Sequence, residues 1–179
     1  MISKPLRPLG QALGLTLLFM TTGCEEESTK PPSGNDSPAT KPSGDVAQPK
    51  LETIQLFLGA AELTAEIADE NHERMAGMMH RTEMGENEAM IFAFPYPHQT
   101  GFWMKNTLVP LSIAYIDRDS RIVEIYDLHP GNTKTAESRS KRIMYALEVN
   151  QGWFGKNGIK PGTVISTPKG SLAKSLRGR

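Results

Sequence analysis

Apolar side chains recur at every second position along much of the chain. Ile54, Leu56 and Leu58 share one face of an extended segment, and Leu63, Ala65 and Ile67 share one face of the next. That period of two marks a half-buried strand. The same reading extends to Met90–Phe94, Thr100–Lys105, Leu111–Asp117, Arg121–Leu128, Ile143–Val149 and Thr163–Ser166, giving about eight short strands. Asp117-Arg118-Asp119-Ser120 supplies hairpin turn chemistry between two of them. Two stretches switch to helical spacing. Asp69 suits the N-cap of the first, which puts Met75, Met78 and Met79 on one buried face. The second, around Gln151 to Asn157, ends at Gly158, where a left-handed glycine stops a helix. Without a long strand–helix alternation, the pattern predicts a mainly β fold, a compact sandwich or barrel with two short helices.

The alternation does not begin at residue 1. Residues 1–23 read as a secretory signal: Lys4 and Arg7 precede an apolar run from Leu9 to Met20 that is interrupted by Gly10, Gln11 and Gly14. The run is short of the roughly 20 apolar residues a membrane span needs. It leads into Thr21-Thr22-Gly23-Cys24, which resembles the lipobox of bacterial lipoproteins, in which the cysteine is lipidated and becomes the new N-terminus; Thr21 stands where that motif usually has leucine. Cys24 is therefore the candidate lipidation site. A plain secreted, soluble protein with a leftover thiol is the alternative. Residues 24–50 form a Pro/Ser-rich spacer with five prolines and Val46 as its one large aliphatic side chain, too little to bury a core. Eleven of the twelve aromatic residues lie between Phe57 and Phe154, which places a single globular domain at 51–168. Residues 169–179 read as a frayed basic tail.

Charge narrows the partners. The chain carries 20 basic and 20 acidic side chains, and Leu51 to Arg179 balances at fifteen of each, which argues against a nucleic-acid partner. The single cysteine excludes an internal disulfide and a multi-cysteine zinc site. His72, His80, His98 and His129 fall in different elements without ligand spacing, so no metal and no cofactor is expected. Core packing explains the spacing of Met75, Met78 and Met79; copper(I) held by them with His72 and His80 is the alternative.

Phe102-Trp103-Met104-Lys105-Asn106-Thr107 is the most distinctive string. A strand there sends Phe102 and Met104 to one face and Trp103 and Lys105 to the other, with Asn106 beside them. Ile143–Val149 and its flank give a similar split, Leu147 and Val149 inward and Glu148 and Asn150 together on the opposite face. An indole with ammonium, amide and carboxylate groups suits a polar, ring-bearing ligand such as a saccharide. The alternative is that Trp103 and Trp153 are core or edge packing residues, with Glu148 paired to Lys105.

The ordered motifs Glu73-Arg74-x-x-Gly77-Met78-Met79-x-Arg81, Met90-Ile91-Phe92-x-Phe94, Phe102 to Thr107 with Pro110-Leu111, Ile116-Asp117, and Leu147-Glu148-x-Asn150-x-Gly152 resemble the bacterial and archaeal family known as domain of unknown function 192. Ser112, Ala89 and Thr163 depart from its pattern, which commonly has aspartate, glycine and aspartate there. The resemblance implies a compact, mainly β domain, often exported or membrane-tethered, and no established activity. Its motifs add Arg74 and Arg81 to the candidate ligand-binding residues Trp103, Lys105, Asn106, Glu148 and Asn150. The expected protein is lipid-anchored in the bacterial cell envelope, facing the periplasm or exterior, a binding or accessory module for an envelope component such as cell-wall saccharide. The rival is an envelope enzyme with Glu148 as general acid or base, and Lys105 with Asn106 stabilising negative charge.

Overall fold

The computed structural model describes residues 46–176. The signal-like segment, Cys24 and most of the spacer lie outside the described residues, as do the last three. The described chain is mainly β, with strands β1 (Thr53–Leu58), β2 (Ala61–Ala68), β3 (Glu88–His98), β4 (Gly101–Phe102), β5 (Leu111–Ile116), β6 (Ile122–Leu128), β7 (Ala136–Glu137), β8 (Ile143–Asn150), β9 (Ile165–Thr167) and β10 (Gly170–Ser171). Three short helices accompany them: α1 (Asn71–Ala76), α2 (Trp153–Lys156) and α3 (Leu172–Leu176).

Eight strands form one sheet in the order β10-β9-β1-β2-β3-β8-β5-β6, and β4 pairs with β7 in a separate ribbon. Every neighbouring pair is antiparallel except β2 and β3, whose connection runs through α1. A bridge between Arg121 and Val164, with Ile165 N–H donating to Ser120 at 2.8 Å, ties the start of β6 to the approach to β9. Among the described residues the strands do not close into a barrel.

Both faces of the sheet are covered. One carries Leu56, Leu63, Ile67, Ile91, Leu147 and Val149, packed with Trp153 and Phe154 of α2 and Leu172 of α3. The other carries Met90, Phe92, Ile113 and Tyr115, packed with Met78, Met104 and Val109 from the connecting segments. Strands covered on both sides have few solvent-facing positions, which explains why β5 is buried throughout.

Several expectations need correction. Glu70, not Asp69, occupies the N-cap of α1, because the Glu73 carboxylate reaches back to accept the backbone N–H of both Asp69 and Glu70. The helix ends before Gly77, whose φ of 49° breaks the helical phase; Met78 is buried, but Met75 is 69% exposed, so the three methionines do not share a buried face. The strand expected over Thr100–Lys105 stops at Phe102, although Met104 is still buried and Trp103 and Lys105 still face outward. Leu172 and Leu176 lie in the first core rather than in a frayed tail. Gln48, at the end of the spacer, donates to the carbonyls of Glu73 and Gly77 and so caps α1.

Candidate functional site

β8 runs through the middle of the sheet, with Glu148 opposite Met90 of β3 on one side and Ile113 of β5 on the other. Its neighbours Leu147 and Val149 belong to the first core. The period of two therefore turns Glu148 into the second, and the face expected to be open is covered: Glu148 is 4% exposed. Among the described residues none donates a hydrogen bond to its carboxyl, and the expected pairing with Lys105 is not formed. Burial pushes the carboxyl up to about 8. A carboxylate removed from water without a partner keeps its proton instead.

Glu148 forms part of the lining of a cleft of about 260 Å³. α1 and the turn after it contribute Arg74, Met75 and Gly77 to Met79, β3 contributes Phe92 and Phe94, and Gly101, Phe102, Trp103 and Thr107 also line it. Phe102 is set by an edge-on contact with Phe92, ring centroids 4.8 Å apart, and a tilted one with Tyr115 at 6.1 Å. Tyr115 fixes the ribbon beneath it by donating its hydroxyl to the Ala136 carbonyl. Its phenol is held well above the ordinary range, by burial and then by the nearby Glu148 charge, so it remains a donor. Gly101 is needed where the ribbon passes: a Cβ there would stand 2.5 Å from Thr135 Cγ2.

The seven candidate residues separate by position. Arg74, Trp103 and Glu148 line the cleft together. Arg74 Nη1 donates to the Asp69 and Ala93 carbonyls, holding α1 against β3. Trp103 is half exposed at the rim, with Lys105 Nζ 5.4 Å from its ring. Lys105 and Asn106 are exposed outside the lining, and Asn106 takes a left-handed φ of 57°. Asn150 donates to the Gly85 carbonyl at 2.8 Å and pins the turn before β3. Arg81 is buried in a two-pronged ion pair with Glu66, at 3.0 and 2.8 Å. Lys50 adds a further contact to Glu66 at 3.3 Å.

Other positions found their partners in the protein itself. Ser112, at the family's usual aspartate, donates to Asp127 and accepts from Gly152 N–H. Asp117 accepts the N–H groups of Asp119 and Arg121, the turn role its sequence suggested. Trp153 is buried and donates to Asn87. A larger depression of about 640 Å³ beside α3 has only the exposed Arg118 and Asp119 as charged lining. Among the described residues no cluster of three His, Cys, Asp or Glu side chains could hold a metal ion. Ala76, Gly77 and Gly101 are cleft residues that the spacing did not single out. Gly77 sits at a fixed position of the motifs, which was the available signal.

Residues 54–167 match the profile of domain of unknown function 192, described as an uncharacterized ACR. The chain belongs to the DUF192 family. Among solved structures it is similar to a protein of Sinorhizobium meliloti 1021 named as a candidate transcription regulator, with 29% identity, a TM-score of 0.60, and coverage of 64% of this chain and 92% of that one. A protein of unknown function from Novosphingobium aromaticivorans DSM 12444 is similar at 28% identity and a TM-score of 0.59, covering 71% of this chain and 98% of that one. No curated protein matches the chain.

Proposed function

We propose that this DUF192 chain is a lipid-anchored cell-envelope protein. Its acylated Cys24 and proline-rich spacer present a β domain that binds a small envelope component in the Glu148 cleft. The observation that carries the binding reading is the meeting of a buried, unpartnered carboxyl with an aromatic wall and a half-exposed indole in one concavity. The anchor rests on the apolar run ending at the single cysteine. The balanced charge of the domain favours a small ligand over nucleic acid, so the name given to the Sinorhizobium relative is not carried across.

Thermal shift and intrinsic fluorescence against muropeptides, oligosaccharides and small polar metabolites test this reading. Stabilisation by at least one class, reduced at least tenfold in affinity by Trp103→Ala, supports it. Failure of every class to change either signal contradicts it.

A second reading is favoured by the same carboxyl. A glutamate titrating near 8 in a cleft is suited to donate or accept a proton at neutral pH. Lys105 and Asn106 do not line that cleft, so the oxyanion-stabilising role foreseen for them has no support in the geometry. Turnover abolished by Glu148→Gln with binding retained would favour this enzyme reading. The copper(I) reading gains Met75, Met78 and Met79 in one lining but neither His72 nor His80. Copper(I) retention under reducing conditions tests it.

A further inference from the structure

Glu66, Met90, Glu148 and Ile113 stand in one row across β2, β3, β8 and β5. The two carboxylates in that row are both buried, at 6% and 4% exposure. Their surroundings differ completely. Glu66 receives both prongs of Arg81, the Leu51 N–H at 2.8 Å and the Lys50 ammonium. Glu148 receives none of these and opens onto the cleft. The protein thus builds a full set of donors for one buried carboxylate and leaves the other facing a space that a ligand can enter.

We propose that this space takes a small organic amine, its ammonium seated against the Glu148 carboxylate and faced by the rings of Phe92, Phe102 and Trp103. The inference rests on the cleft-binding reading above and specifies the ligand's chemistry. Ring faces carry negative potential and attract cations, most strongly where water is excluded, and the Met78 and Met79 thioethers are polarizable neighbours. A hard metal ion calls for six or more oxygen ligands, whereas Glu148 is the one carboxylate in the lining. The volume of about 260 Å³ lies below the range of roughly 300–1,000 Å³ typical of drug-sized ligands, which limits the guest to a short amine.

The other ionisable groups define its orientation. Arg74 is the cation of the lining and is tethered by Nη1 to two carbonyls. The Tyr115 phenol is neutral, and Lys105 lies over the Trp103 ring outside the lining. The ammonium therefore belongs at the Glu148 end, and any carboxylate or carbonyl of the ligand at the Arg74 end. A diamine is disfavoured by Arg74.

Because Glu148 must give up its proton to face an ammonium, amine uptake releases a proton below pH 8. Affinity then rises about tenfold per pH unit from pH 6 to about 8 and levels off above it. A ligand that accepts a hydrogen bond from protonated Glu148 shows the opposite slope above pH 8.

The test titrates the full chain, purified in a non-ionic detergent, with n-butylamine, tetramethylammonium, 1-butanol and butyrate between pH 6 and 9. Calorimetry and tryptophan fluorescence are the readouts. Expected are binding of the two cations with the tenfold slope, and a loss of at least tenfold in Glu148→Gln. The pH slope of the unaltered chain is an independent readout should that variant fold poorly. Equal binding of 1-butanol or butyrate, a flat pH profile, or undiminished amine binding by Glu148→Gln overturns the proposal. If saccharides or neutral probes bind in a Trp103-dependent way while amines do not, the amine assignment fails and the cleft reading stands. If no probe of any class perturbs the protein, both fail.

Discussion

Glu66 and Glu148 flank Met90 in one row of the sheet, yet their carboxyls move in opposite directions. For Glu66, burial pushes upward, but the Arg81 hydrogen bonds, the Leu51 N–H, the Arg81 charge and the Lys50 hydrogen bond outweigh it and hold the carboxyl below its usual value. Its contribution to stability is present above the ordinary carboxylate range and is lost as pH falls through the lowered value. Glu148 has the reverse sign. Between its ordinary value of 4.5 and about 8 the folded chain holds a proton that the unfolded chain releases. Stability therefore falls across that window, by about 1.4 kcal/mol per pH unit. Glu148→Gln is expected to remove this slope, matching the parent near pH 5 and exceeding its stability by about 2–4 kcal/mol at pH 8 in urea denaturation. Arg81→Ala leaves Glu66 buried without its main partner and is expected to cost about 3–5 kcal/mol in the same assay.

At the scale of elements, the alternating apolar positions of β1, β2, β5, β6 and β8 were legible because each strand runs for six to eight residues, long enough to show a period of two. The ribbon of β4 and β7 was not, since two-residue strands leave no period to read. Its place is set by tertiary contacts instead: the Tyr115 hydroxyl on Ala136, the Phe102 ring between Phe92 and Tyr115, and the close pass of Gly101 at Thr135. Gly101→Ala is expected to destabilise the domain by about 1–3 kcal/mol and to change Trp103 emission, since the strain falls two residues from the indole. The end of the domain was misread for a related reason. Leu172 and Leu176 have helical i, i+4 spacing, but the surrounding lysines and arginines read as a solvated tail. Leu172 is fully buried, and Leu172→Ala is expected to lower stability by about 2–5 kcal/mol by thermal or denaturant melting.

For the molecule as a whole, the sequence showed the β class and the presence of Arg74, Trp103 and Glu148 in shared motifs. It did not show which of the marked polar residues the fold consumes. Arg81 and Asn150 carry structure, and Lys105 and Asn106 stand outside the cleft, because burial and pairing depend on strands far apart in sequence. The proposed anchor is tested at this scale. Cys24→Ala should move the protein from the membrane to the soluble fraction and change its gel mobility; unchanged partition and mobility would contradict the lipoprotein reading.

Binding in the cleft depends on a single carboxyl group, that of Glu148, buried and reachable from the cleft. Carbon-13 NMR of the glutamate side-chain carboxyls, with Glu148→Gln to assign the resonance, follows its protonation directly. Glu148 is expected to titrate at about 8 in the free chain, and n-butylamine is expected to move this midpoint downward. Titration of Glu148 in the ordinary carboxylate range, unchanged by the amine, would contradict both.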